Sequence, residues 1–159
     1  MLNHSVKTGI SFGLTSGVIT TMGLMVGLNS GTHSRLAVLG GILTIAVADA
    51  FSDALGIHIA EESENTHTSW EIWQATIATL VSKFLLALTF AVPVLLLDLS
   101  AAVAASVVYG LTVLAVLSYY LARDQKESPM KVIAEHLGIA LAVIVITHFT
   151  GAWVATVCV

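Results

Sequence analysis

Apolar residues run along this chain in five long stretches that short polar segments separate. Each stretch is at least as long as the ~20 residues with which an α-helix crosses the hydrocarbon core of a bilayer. None shows the strict alternation of apolar and polar residues that is typical of transmembrane β-strands. The pattern therefore predicts an all-α, polytopic membrane protein, a single transmembrane domain of residues 1–159 with five transmembrane helices. The predicted spans are residues 7–28, 36–60, 72–97, 102–121 and 132–157.

The composition agrees with a membrane location. Hydrophobic residues make up 57% of the chain and charged residues 10%, and the mean hydropathy is +0.93, which lies outside the usual range of water-soluble domains. The net charge of −4 comes without a run of Lys or Arg, so we expect a lipid bilayer and not nucleic acid as the partner. No nucleophile and base pair and no closed set of metal ligands stands out, so we expect neither an enzyme nor a bound cofactor.

The positive charges of the connections predict an orientation. With five spans, the N-terminus lies on the same side as the second and fourth connections. That side has Lys7, Arg123, Lys126 and Lys131, whereas the other side has Arg35. Because positive charge is enriched on the cytoplasmic side, we expect a cytoplasmic N-terminus and an outer or lumenal C-terminus. We also expect a cell membrane rather than a vacuole.

Two aspartates in the second predicted span are the main candidates for chemistry. Asp49 and Asp53 are four residues apart, so a helix places them on the same face. Ionisable side chains inside a span are costly and usually face a polar interior. Two neighbouring carboxylates repel each other, and either a divalent cation or protons relieve that repulsion. The pair therefore indicates a site where a metal ion and protons compete, or else two hydrogen-bonded structural acids.

Lys83 lies in the third predicted span at about the same depth as Asp49, given the 1.5 Å rise per residue of a helix. We therefore expect this lysine to pair with Asp49 or Asp53. The pair has two interpretations, a permanent structural ion pair or an internal counter-ion that a metal displaces. A fixed positive charge also repels a divalent ion, and this is the main argument from the sequence against transport.

Further polar residues suggest supporting roles. Nitrogen and oxygen ligands at the end of the second span would raise the local concentration of divalent cations, although a merely solvated loop is the alternative. In the fifth span, Glu135 and His148 are candidates for a proton relay, with an interhelical hydrogen bond as the alternative for His148. The possible capture cluster consists of His58, Glu61, Glu62, Glu64 and His67.

The first span contains glycines at small-xxx-small spacing, which lets a neighbouring backbone approach closely. We expect helix packing as their main role. These glycines form two ridges, Gly9, Gly13 and Gly17 in one and Gly23 and Gly27 in the other.

Three segments together resemble a known family. The glycine-rich stretch Ser11–Leu24, the acidic and small-residue stretch Ala48–Gly56, and the stretch Glu135–Gly151 in the last span are similar to the corresponding helices of the vacuolar iron transporter family, which includes the nodulin-like transporters. The resemblance implies a homodimer of five-span subunits with an ion path between protomers. It also implies exchange of ferrous or manganous ion for protons, the metal being cargo rather than a cofactor.

The chain departs from the family pattern at two positions. Ser16 stands where the family's first helix usually has an acid, and Asp49 where the second helix often has a methionine, whereas Asp53 matches the acid that follows. A site with only oxygen ligands favours harder ions, such as manganese, magnesium or calcium, over iron. The polar loop after the second span is also too short for the family's cytoplasmic metal-binding domain.

The leading hypothesis from the sequence is a proton-coupled divalent-metal antiporter. Asp49 and Asp53 would be the ligands, and Ser16 would supply a supporting oxygen. The alternative is a non-transporting structural or regulatory membrane protein that keeps the fold, with Lys83 sealing the two acids permanently.

Overall fold

A computed structural model describes residues 3–158, which form helices and short connections without a β-strand. Five helical units are long and apolar enough to cross a membrane, the third of them being α3 and α4 taken together. The predicted all-α, multi-pass architecture is therefore confirmed. The helices are α1 (His4–Thr32), α2 (Arg35–Ser63), α3 (Ser69–Thr89), α4 (Ala91–Leu96), α5 (Leu99–Gln125) and α6 (Pro129–Val157).

Most helices extend a few residues beyond the predicted spans because polar residues cap their ends. The Ser34 side chain accepts a hydrogen bond from the Ala37 N–H at the start of α2. At the start of α3, Thr68 and Glu71 form a reciprocal capping box, which satisfies two backbone donors that the first turn leaves free. Pro129 begins α6 at a position where its missing N–H costs nothing.

The third span is interrupted where the sequence predicts one continuous stretch. Helix α3 ends at Thr89 and α4 begins at Ala91. Pro93 has no N–H to donate to the Thr89 carbonyl four residues earlier, and proline breaks or kinks a helix for this reason. At the junction between the two helices, the Phe90 N–H donates a hydrogen bond to the Ala87 carbonyl, three residues earlier, at 3.1 Å.

Helix α1 is the central helix and contacts α2, α3, α5 and α6. Its first glycine ridge packs on α3, where a methyl group on Gly13 would lie 2.7 Å from the Thr79 carbonyl oxygen. Its second ridge packs on α6, where a methyl group on Gly23 would lie 2.8 Å from the Val143 side chain. The expected packing role of these glycines is confirmed, since any side chain would separate the helices.

The spans alternate in direction, as five crossings require. Gly9 to Gly17 of α1 meet residues 75–83 of α3 in the same order, so these two helices are parallel. Lys7 near the start of α1 meets Asp124 near the end of α5, so that pair is antiparallel. The two ends of the described chain therefore lie at opposite faces of the bundle.

Large apolar side chains cover the outside of the bundle, which is the arrangement expected in lipid. Helix α6 is the most peripheral span, and its buried residues are Ala140 and Gly151. Among the most exposed apolar side chains are Leu36, Phe51, Leu96 and Phe149.

Substitution of Gly13 tests the close contact of α1 with α3. We expect Gly13→Ala to destabilise the protein by about 1–3 kcal/mol, the usual cost of overpacking, because the added methyl group meets the Thr79 backbone. Thermal unfolding in detergent, followed by circular dichroism, measures the change. The control is Gly138→Ala on α6, where a methyl group meets nothing within 4 Å; equal losses in the two variants would contradict the packing described here.

Candidate functional site

Lys83 is the most deeply buried charge in the described part of the chain, with 1% of its surface exposed. Its Nζ lies 2.5 Å from Asp49 Oδ2 and 2.5 Å from Asp53 Oδ2. It also donates a hydrogen bond to Ser16 Oγ at 2.9 Å. The expected meeting of Lys83 with the acids is confirmed, and the lysine contacts both of them rather than one. We refer to Ser16, Asp49, Asp53 and Lys83 as the charged cluster.

Three helices position the charged cluster. Helix α2 turns a buried stripe of small apolar residues, including Ala46, Ala50 and Ala54, towards the bundle. Asp49 and Asp53 flank that stripe on one side, so the predicted common face is confirmed. Gly17 of α1 leaves room for the lysine, because a methyl group there would lie 3.3 Å from Lys83 Cγ. The apolar stem of the lysine thus packs on α1 while its ammonium reaches α2.

The charged cluster carries more negative than positive charge. With both carboxylates ionised and the amine protonated, its formal charge is −1. Asp53 Oδ2 accepts a hydrogen bond from the ammonium, and Asp49 Oδ2 forms an ion pair with the same ammonium at 2.5 Å. One ammonium therefore compensates both carboxylates.

The charged cluster is enclosed on one side and open on the other. The side chains of Asp49 and Asp53 are 27% and 19% exposed, compared with 1% for Lys83. Their exposed surface lies away from the buried stripe of α2, whereas the lysine approaches from within the bundle.

The possible capture cluster is only partly assembled. His67 Nε2 lies 3.4 Å from Glu61 Oε2 and 3.4 Å from Glu64 Oε2. The His67 ring also stacks on His4, with 6.5 Å between ring centroids. Glu62 is exposed beside them.

His58 does not belong to that group, since its contacts are with α3. Its Nδ1 lies 2.9 Å from Thr76 Oγ1, and its ring meets the edge of Trp73 with 4.9 Å between centroids. Across residues 3–158, no group of three or more His, Cys, Asp or Glu side chains is placed so that it could hold a metal ion.

The structure does not bring Glu135 and His148 together. They lie 13 positions apart on α6, roughly 20 Å along the helix axis. Glu135 is exposed. His148 Nδ1 lies 2.7 Å from Ser30 Oγ near the end of α1, which is the interhelical hydrogen bond named above as the alternative to a relay.

The sequence indicated an interhelical hydrogen bond for His148, but it did not identify the hydroxyl partners of the histidines. Each such bond joins residues on different helices, for example Ser118 with His136 Nδ1 at 2.8 Å. Serine and threonine at packed helix positions are the only signal that could have indicated them, and that signal is common in membrane helices.

Comparison of this chain with family models and with curated proteins gives no match. The similarity of three segments to the vacuolar iron transporter family therefore stays a prediction from those segments.

Replacement of Lys83 tests whether it compensates the two acids. We expect Lys83→Met to destabilise the protein by about 3–5 kcal/mol, because it leaves two partly buried carboxylates without a counter-charge. The triple variant Lys83→Met, Asp49→Asn, Asp53→Asn removes the charges together and should recover most of that loss. Thermal unfolding in detergent compares the two; a triple variant no more stable than the single one would show that the ion pairs are not the cause.

Proposed function

We propose that this protein is a divalent-cation transporter that exchanges ferrous or manganous ion for protons, with Asp49, Asp53 and Ser16 as the transport site. One observation carries the proposal: a buried ammonium lies 2.5 Å from both carboxylates at once. A position between two carboxylates, with a hydroxyl beside it, is one that a small cation occupies equally well. The Lys83 ammonium therefore occupies the position where we propose that the transported cation binds.

Charge balance connects cation binding with proton movement. Charge in a low-dielectric interior is costly, so a transport site is best kept neutral in every state. In the metal-bound state, the cluster is neutral if both carboxylates are ionised and Lys83 has lost its proton. In the metal-free state, it is neutral if Lys83 is protonated and one carboxylate carries a proton. Exchange of the metal for protons keeps the cluster neutral throughout, which favours antiport over simple passage of the cation.

The ligand set favours hard cations. Asp49, Asp53 and Ser16 present oxygen atoms, and oxygen ligands suit manganese, magnesium and calcium better than they suit softer metals. We therefore propose manganous ion as the better cargo and ferrous ion as the weaker one. The group of Glu61, Glu64 and His67 would concentrate the cation at the membrane surface before it enters.

A second copy of the chain is the proposed cover for the open side of the charged cluster. The two carboxylates are partly exposed beside a stripe of small, exposed residues on α2, and charged groups in a span avoid lipid. Small residues let a second α2 approach closely. The proposal is a homodimer with the cation path between the two copies, the N-terminus being cytoplasmic. The stripe consists of Gly40, Thr44, Ala48, Ser52 and Gly56.

A non-transporting structural or regulatory protein is the second candidate function. It is favoured by the same contact, because Lys83 already compensates both acids without a metal. The two candidates differ in whether the ammonium can be displaced.

Flux through liposomes tests the transport proposal. We expect the reconstituted protein to move manganous ion with opposed proton movement, and Asp49→Asn or Asp53→Asn to reduce the initial rate at least about tenfold, since each removes a charged ligand. Metal-sensitive and pH-sensitive dyes inside the vesicles measure both fluxes. Glu127→Gln, in the exposed connection before α6, is the control. Unchanged flux in both aspartate variants would reject the site.

Metal binding by a lysine variant separates the two candidate functions. We expect Lys83→Gln to bind manganous ion more tightly than the unchanged protein, by about tenfold, because it removes a positive charge that competes for the carboxylates. Calorimetric titration of folded protein in detergent measures the affinity. No binding by either form, with folding intact, would favour the structural role.

A further inference from the structure

A groove opens between α1, α5 and α6 on the side of α1 opposite the charged cluster. Its volume is about 730 Å³, and it is partly open to the surroundings. Ser11 and Thr15 line it, whereas Gly13 and Gly17 of the same helix face α3. The groove is therefore separate from the proposed cation site.

The groove follows from the way α1 meets α6. The two helices pack closely at Gly23, Gly27 and Gly31, in the second half of α1. The groove borders the first half, from His4 to Thr15, where no glycine of α1 faces α6. His4 and Thr15 are eleven positions apart, roughly 16 Å along the helix, so the groove extends from the end of the bundle along the first half of α1.

The walls of the groove are mostly apolar. Phe12 of α1 and Leu117 and Leu121 of α5 line its length. Of the polar atoms inside the groove, Ser118 Oγ donates a hydrogen bond to the Leu114 carbonyl at 2.6 Å and lies 2.8 Å from His136 Nδ1. The deep part thus suits a hydrocarbon chain better than a polar ligand.

The rim of the groove carries one positive and one negative charge. Lys7 Nζ lies 3.4 Å from both carboxylate oxygens of Asp124. Both side chains are accessible, at 47% and 65% exposure. An exposed pair of this kind is weakly held, so either partner is available to an incoming group of opposite charge.

We propose that this groove binds one phospholipid whose headgroup carries a phosphate and a primary ammonium, as phosphatidylethanolamine does. An acyl chain fills the apolar part, the phosphate contacts Lys7, and the ammonium donates hydrogen bonds to Asp124. The volume lies within the range of small-molecule sites. The charge pattern selects the headgroup: a purely anionic lipid is repelled by Asp124, and a choline headgroup has no N–H to donate.

Native mass spectrometry of the purified protein tests the proposal, with phosphatidylethanolamine, phosphatidylcholine and phosphatidylglycerol of identical acyl chains as probes. We expect retention of one phosphatidylethanolamine per chain, about fivefold above the other two lipids. Asp124→Asn should abolish the preference for ethanolamine over choline, and Lys7→Gln should weaken binding of both. Equal or stronger retention of phosphatidylglycerol would overturn the assignment of the headgroup.

A variant whose side chain fills the groove tests whether the retained lipid binds there or belongs to the general lipid layer around the protein. Ser11→Phe places a ring in the groove and should remove the retained lipid. Val116→Phe adds the same ring to an exposed α5 position that does not line the groove, and it should leave retention unchanged. Circular dichroism and size-exclusion profiles confirm that both variants are folded. Retention that survives Ser11→Phe, or that is absent from the unchanged protein, would overturn the proposal.

Discussion

The arrangement of the first three spans depends on the need to compensate two carboxylates inside the membrane. Asp49 and Asp53 cannot face lipid without a counter-charge, and Lys83 supplies it from another helix. The lysine reaches them because Gly17 lets its stem lie against α1. The glycines of α1 let α3 approach closely, and this close packing helps Lys83 of α3 to compensate the acids of α2. Any function of the charged cluster has to keep the charges of these carboxylates compensated.

The same balance limits what the cluster can do. The ammonium of Lys83 lies 2.5 Å from both carboxylates, at the position between them that the proposal gives to the cation. A cation can bind there only if the ammonium moves away or loses its proton, since two positive charges at one position repel each other. The same contact is what a permanent structural ion pair would show, so displacement of Lys83 is what separates the proposed transporter from the structural alternative.

Local periodicity predicted the features that lie along single helices. The five spans follow from apolar length, and the common face of Asp49 and Asp53 follows from their spacing; the depth of Lys83 was sufficient to predict their meeting. Features that depend on how helices rotate against one another could not be predicted. Lys7 and Asp124 are 117 positions apart, and nothing in either segment indicates the groove between them.

The break at Phe90 had a visible cause in Pro93, but proline also occurs in continuous membrane helices. His58 turned towards Thr76 rather than Glu61 because the packing of α2 on α3 supplies the closer partner.

The charged cluster draws all its members from the first 83 residues, and α5 and α6 contribute none of them. During synthesis the first two helices alone would therefore bring uncompensated acids into the bilayer, at about 2.5–3.5 kcal/mol for each on insertion scales. Arrival of the third helix cancels that penalty by delivering the amine. We expect the second and third helices to enter the bilayer together, because the acids and the amine compensate each other only when both helices are present.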